Sequence, residues 1–260
     1  MTGEHMQLLS AALQGFTVLA QNVTDVADGA FRAFVVNGYP APSYSPVVCL
    51  ERQLPQADTL EAVSAYWRQQ WGPAYPPGFV FCPCDRTPPR HAADGWRRVE
   101  PLHIIVESSR PRRPQVRPPF TLSTVRLGDS VTDVQFQAVV AACFPETRQN
   151  PEQILAPFHR ARALTELIII SHGDPPRPVA ASAVTARGDT AFQTRGAVVK
   201  PYRGLGFSRV MQEAALGRCH ALGATTAVTA TRNPRVLGVN RPSLELWIYQ
   251  YQPNDANDDF

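Results

Sequence analysis

Between Thr194 and Asn240 the chain reads TRGAVVKPYRGLGFSRVMQEAALGRCHALGATTAVTATRNPRVLGVN, and this stretch commits the fold to an α/β class. Ala197, Val198 and Val199 form a short apolar run closed by Lys200-Pro201-Tyr202, the pattern of a strand that ends at a turn. Phe207, Met211, Ala215, Cys219 and Leu222 then recur at helical spacing with Val210 and Ala214 beside them, which gives a helix one apolar face. Gly223 stops that helix, and Thr225 to Thr231 reads as the next strand.

The turn into the helix, Arg203-Gly204-Leu205-Gly206-Phe207-Ser208, is where chemistry enters. A helix that opens on Gly-x-Gly presents unpaired backbone N–H groups, and the missing side chains let a phosphate approach them. The helix dipole adds partial positive charge, and Lys200 and Arg203 add full charges. On glycine spacing alone, an ordinary tight turn is the other reading. Two phosphate loops are excluded: no Gly-x-x-x-x-Gly-Lys-Ser/Thr occurs, and a dinucleotide fingerprint would need glycine at position 209, which is Arg209.

Val199-x-Pro201 followed by Arg203-Gly204-Leu205-Gly206-Phe207-Ser208 resembles the Arg/Gln-x-x-Gly-x-Gly/Ala signature of the GCN5-related N-acetyltransferases (GNAT superfamily). The helix, the strand Thr225 to Thr231 and the segment from Asn233 to Asn240 follow in that family's order. The resemblance implies an α/β GNAT fold, a mixed and mostly antiparallel splayed sheet with helices on both faces. It further implies acetyl-CoA, or another acyl-CoA, as co-substrate. Carried over by position, the backbone of Val198 and Val199 would hold the pantetheine and the thioester carbonyl. Donors from Leu205, Gly206, Phe207 and Ser208 would bind the pyrophosphate beside Gly204, with Arg203 as charged partner, and Asn233 would bond the pantetheine. No metal is expected.

The sequence departs from the family at Ser208, where Gly or Ala is usual, and in a Val-to-Arg spacing one residue shorter than common. At position 240, where many members carry a tyrosine that protonates the departing thiolate, stands Asn240, which cannot act as an acid. Leu244-Glu245 replaces the Gly-Phe pair usual there. Glu245 and Tyr249 on the last strand are candidate catalytic groups by position, as is His172 at the end of the strand LIIIS; His220 is placed to complement a helix C-terminus.

Upstream, Met6 to Leu19 reads as a helix, Val26 to Phe34 as a second, Tyr44 to Leu50 as a strand, Asp58 to Trp71 as a helix and Phe79 to Phe81 as a strand. Gly95-Trp96 and the strand Leu102 to Val106 resemble the end of an acetyltransferase domain, with no phosphate loop before them. Residues 1–107 therefore look like the degenerate first half of a tandem GNAT protein. Residues 108–119, SSRPRRPQVRPP, form a proline- and arginine-rich linker, and residues 120–260 are the acyl-CoA-binding domain. Within the latter, Asp129 caps a helix Val131 to Phe144, and Leu167 to Ser171 is expected to be a central buried strand.

The 25 prolines fall mostly between these elements, and five cysteines, odd in number and scattered, argue against a disulfide framework and for a cytoplasmic location. No apolar run is long enough to span a membrane and no secretory signal is evident. A net charge of +3 does not by itself imply nucleic acid, although Arg110, Arg112, Arg113 and Arg117 could meet an acidic partner. Cys82-Pro83-Cys84 with His91 lacks a fourth ligand at metal-site spacing. The reading is an enzyme that transfers an acetyl or short acyl group from acyl-CoA to a small-molecule amine by direct attack. The alternatives are a non-catalytic acyl-CoA-binding module and an acyltransferase of this fold with a tRNA- or carrier-bound donor.

Overall fold

The computed structural model describes residues 3–36, 46–50, 56–71, 79–83, 91–93, 95–144, 152–232 and 244–251. In chain order they form α1 (Gly3–Leu19), β1 (Asn22–Val26), β2 (Phe31–Val35), β3 (Val47–Cys49), α2 (Ala57–Trp71), β4 (Phe79–Pro83), β5 (His91–Ala93) and β6 (Trp96–Ser108). There follow β7 (Phe120–Arg126), α3 (Ser130–Cys143), α4 (Glu152–Leu155) running into a 3₁₀ segment (Ala156–Leu164), β8 (Thr165–His172), β9 (Arg177–Arg187) and β10 (Thr190–Val198). The last elements are a 3₁₀ turn (Lys200–Tyr202), α5 (Phe207–Ala221), β11 (Thr226–Thr231) and β12 (Leu244–Tyr251).

All the strands belong to one sheet, in the order β1-β2-β3-β4-β12-β6-β11-β10-β9-β8-β7, with β5 paired to β6. Most pairings are antiparallel; β3 with β4 and β10 with β11 are parallel. The two middle strands are exchanged. β6, from the first half of the chain, lies against β11, and β12, from its end, lies against β4, while β6 and β12 pair with each other. Neither half thus completes its sheet with its own last strand.

Helices cover both faces. On one, α1, α3, α4 and the 3₁₀ segment pack over a core that contains Phe16, Phe136, Phe158, Phe192, Val228 and Leu246. On the other, α5 lays Phe207, Met211, Ala215 and Cys219 on Ile168, Ile170 and Ala180, and α2 sets Leu60, Val63 and Trp67 against Phe31, Val80 and Trp96. α1 ties the halves together. Its Phe16 ring lies 5.6 Å from Phe192 and 5.7 Å from Phe34, and a Cβ at Gly15 would stand 2.8 Å from Val228 Cγ1, so the helix sits down on β11 only because that residue is glycine. Leu167 to Ile170 are wholly buried, about 1.5–3 kcal/mol each by area.

Most expected elements appear within a residue or two. Val26 to Phe34 does not form a helix. It is a hairpin whose turn holds Ala27, Asp28 and Gly29 at φ 53°, 53° and 86°, a left-handed run that an Asp-Gly pair tolerates and a helix does not. The strand holding Leu167 to Ser171 is buried as expected, yet it lies one place in from the sheet edge formed by β7, because the exchanged strands move the centre elsewhere. Asp129 caps α3, its Oδ1 accepting from Thr132 N at 2.9 Å and Thr132 Oγ1 at 2.8 Å, and these bonds hold its carboxyl below the usual range. The connector after Ser108 is anchored: Ser109 N donates to Thr225 O at 2.8 Å, Val116 packs on the α5 core, and Arg112 O lies over Gly217. Arg110, Arg112, Arg113 and Arg117 face solvent. Cys84, Asn233 and Asn240 lie outside the described residues.

Candidate functional site

The parallel pairing of β10 with β11 runs from Thr190↔Thr226 to Gln193↔Thr229 and stops. β10 continues along β9 to Val198↔Ala180, after a bulge between Thr194 and Ala197. β11 continues along β6 to Thr231↔His103. The two strands therefore diverge beyond Gln193 and Thr229, and the main-chain groups of residues 194–198 that face β11 have no strand partner among the described residues. An unpaired edge inside a sheet is a template for an extended, amide-bearing ligand.

The vertex is fixed by buried side chains. Thr229 Oγ1 donates to Gln193 Oε1 at 3.1 Å, Gln193 Nε2 donates to Ser182 Oγ at 3.1 Å, and Ser182 Oγ donates to Thr194 O at 3.2 Å. From α5, Gln212 Nε2 reaches Glu107 Oε2 at 2.7 Å and Thr229 Oγ1 at 3.5 Å. A connected polar chain in a low-dielectric interior holds its strands in one arrangement, so the angle of divergence is built in.

At the slot's mouth the chain turns into α5. Gly204 and Gly206 have φ 84° and 82°, and a Cβ at either would meet nothing within 4 Å. The glycines thus serve a left-handed backbone with open space before it. Gly206 is the N-cap of α5 and offers no side-chain cap. Among the described residues, the N–H groups of Gly204, Leu205, Gly206, Phe207 and Ser208 donate to no backbone carbonyl, which leaves a row of donors at the positive end of a 15-residue helix. Leu205 is 56% exposed beside them. The Phe207 side chain is buried under the loop, its ring 4.8 Å from Phe120, which also stacks near His172 and Tyr202. Tyr202 Oη lies 3.4 Å from His172 Nδ1, so His172 belongs to this aromatic support and not to the slot.

Arg203 folds back: its Nε donates to Val198 O at 3.1 Å, and its guanidinium lies beside the Cys143 thiol, whose pKa burial raises. This bond shows which way Val198 faces. Val199 N donates to Val179 O at 3.0 Å and is committed to β9, so the alternation of the ladder turns the Val198 N–H and C=O toward the slot. The donor available to a carbonyl in the slot is therefore that of Val198 and not that of Val199. Lys200 and Arg209 are exposed at the same end, Arg209 with Glu213 at 3.3 Å.

Of the expected catalytic residues, Tyr249 is wholly buried in the core of the first half, among Phe31, Trp67, Val80 and Trp96. Its position in β12, between β4 and β6, holds it in that core and away from the gap between β10 and β11, so it is not a catalytic group. Glu245 lies opposite His103 in the ladder, with Oε1 3.5 Å from His103 Nδ1. His103, which the sequence reading passed over, stands opposite Thr231, the last residue of β11. A lone histidine inside the apolar run Leu102 to Val106 was the signal for it. His220 is exposed in the last turn of α5. Cys82 is buried in the same core as Tyr249.

No protein-family model and no curated protein sequence matches this chain. Solved structures do. A GCN5-related N-acetyltransferase from Kribbella flavida superposes with a TM-score of 0.62 at 16% identity over 96% of both chains. A GCN5-related N-acetyltransferase from Sphaerobacter thermophilus gives 0.57 at 15%, covering 86% of this chain and 78% of its own. A tandem GNAT protein from the clavulanic acid biosynthesis pathway gives 0.51 at 11%, covering 85% and 78%. At these identities the likeness is one of fold.

Proposed function

We propose that this chain, which has the fold of the GCN5-related N-acetyltransferases, transfers an acetyl or other short acyl group from coenzyme A to the amine of a small molecule. The observation that carries this reading is the coincidence of two openings at one place. β10 and β11 part beyond Gln193 and Thr229, and the unpaired N–H groups at the entrance of α5 lie at the mouth of the gap. A coenzyme A thioester has the matching shape, a diphosphate joined to a slender diamide arm that ends in the reactive carbon.

On this reading Leu205, Gly206, Phe207 and Ser208 hold the diphosphate through backbone N–H groups, with Gly204 leaving room and Arg203, Lys200 and Arg209 supplying charge. The slot-facing groups of residues 194–198 pair with the amides of the arm. On the same reading the Val198 N–H receives the thioester carbonyl and stabilises charge developing on oxygen. A neutral amine attacks the carbonyl carbon directly, so the protein supplies positioning and a proton carrier and no nucleophile. Residues 1–107 are, in this view, a degenerate counterpart of the domain formed by residues 120–260, with 108–119 as linker. Among the described residues no helix is long and apolar enough to cross a membrane, and Cys49, Cys82, Cys143 and Cys219 are free thiols, which suits a reducing cytoplasm.

Calorimetric titration with acetyl-CoA, followed by thiol release with a panel of amines, tests this. Micromolar binding and amine-dependent thiol release are expected. Binding without release would leave a coenzyme-binding module, and no binding of any coenzyme A thioester would point to a carrier-bound donor.

A further inference from the structure

The half of the chain without a phosphate loop nevertheless reaches the candidate site, because its strand β6 pairs with β11, which is one wall of the slot. The residue that β6 places beside the last residue of that wall is His103, in register with Thr231, two residues past the point where β10 departs. Opposite residues of an antiparallel ladder share a face, so Glu245 of β12, His103 of β6 and Thr231 of β11 form a row across three strands. The row lies on the face that carries Thr229 and Gln212, the face of α5 and its donors.

The two nitrogens of His103 are unlike each other. Nδ1 is buried and makes no hydrogen bond, with Glu245 Oε1 3.5 Å away. Nε2 has no partner among the described residues and is not closed off as Nδ1 is. The side chain is 12% exposed and that of Glu245 43%. A carboxylate behind Nδ1 favours the tautomer with its proton there, which leaves the Nε2 lone pair facing outward. This is the arrangement of an imidazole that accepts a proton, and catalytic hydrogen bonds are often long before substrate binds.

We propose that His103 is the proton carrier of the acyl transfer, with Glu245 as the positioning residue behind it; this rests on the acyl-transfer reading above. The amine nitrogen bonds to the thioester carbon and its proton passes to His103 Nε2. The carbon–sulfur bond breaks with its electron pair on sulfur, and Nε2 returns the proton there, giving amide and free thiol. No oxidant, metal or further reactant is consumed. The inference also gives the first half a role in catalysis: it contributes the acid–base group.

The test compares wild type, His103→Gln and Glu245→Gln by acetyl-CoA calorimetry, by thiol release with the best amine of the panel, and by ¹⁵N spectra of the imidazoles. His103→Gln should lower kcat by about 10²-fold with coenzyme affinity within about twofold. Glu245→Gln should lower kcat less and shift His103 away from the Nδ1–H tautomer. Full thiol release by His103→Gln would overturn the proposal while leaving the acyl-transfer reading intact. A resting tautomer with the proton on Nε2 would overturn it as well, and that reading needs no variant to fold and no acceptor to be known. A wild type that neither binds acetyl-CoA nor releases thiol would overturn the proposal along with its premise.

Discussion

The guanidinium of Arg218, in the last turn of α5, closes on both carboxylate oxygens of Glu166 in β8, with Nη2 2.7 Å from Oε1. Glu166 is 7% exposed and Arg218 39%. The pair fastens the far end of the helix whose near end carries the donor loop, and the carboxylate raises the pKa of the guanidinium. Breaking a buried pair by removing one partner costs about 3–5 kcal/mol, and the partial exposure of Arg218 reduces the expectation for Arg218→Met to about 2 kcal/mol. Urea unfolding should show this. Arg218→Met with Glu166→Leu should recover most of the loss, because no carboxylate is then left unpaired.

Gly217→Ala should destabilise the protein, although alanine is normally the better helix residue by about 1 kcal/mol. A Cβ there would stand 2.6 Å from Arg112 O and 3.3 Å from Arg112 N, and backbone does not yield as a side chain does. A loss of about 1–3 kcal/mol, the usual cost of overpacking, is expected in thermal or urea unfolding. A gain in stability would show that the connector does not rest on α5.

Gly206→Glu tests the donor loop. Space is open around Gly206, so the side chain itself is accommodated, while its φ of 82° adds strain of about 1–2 kcal/mol. A carboxylate at the helix entrance should weaken acetyl-CoA binding at least about 100-fold, the effect of replacing an anion-binding charge field with a repulsive one. Gly206→Ala carries the same strain without the charge and should bind far better, so calorimetry of the two variants separates electrostatics from fold.

Cys219 is wholly buried under α5, and burial pushes its thiol up from 9.0 to about 12. The native thiol should therefore resist alkylation at pH 8 and react only in urea, as peptide mapping would show. The raised value also has a sign for stability. The contribution is complete below about pH 9 and is lost as pH rises toward 12, because the unfolded thiol releases its proton first. Cys219→Ala should flatten that alkaline decline relative to wild type.

What could be read from the sequence was local. The loop from Arg203 to Ser208 announces itself because glycine at positions 204 and 206 has a local physical cause, a left-handed turn before a helix, and α5 shows its apolar face at helical spacing. Asp129 was legible as a cap for the same reason. The hairpin at residues 22–35 was missed because Val26 and Phe34 happen to fall at helical spacing, while the Asp28-Gly29 turn was the stronger signal. Tyr249 was misplaced because its environment is set by β4 and β6, partners far away in sequence that no periodicity names. The register that puts His103 beside Thr231 and Glu245 is hidden for the same reason.

The exchanged strands also dictate an order of assembly. The β4 edge at Phe79–Pro83 is matched by Leu246 to Gln250, so during synthesis that edge must wait until β12 has been made. Until then it is an unpaired strand edge, the kind of surface on which nascent chains associate wrongly. A chain that stalls anywhere before Leu244 would leave the ribosome's exit with an unfinished first half, and its yield in the cell should depend on chaperones that shield such edges.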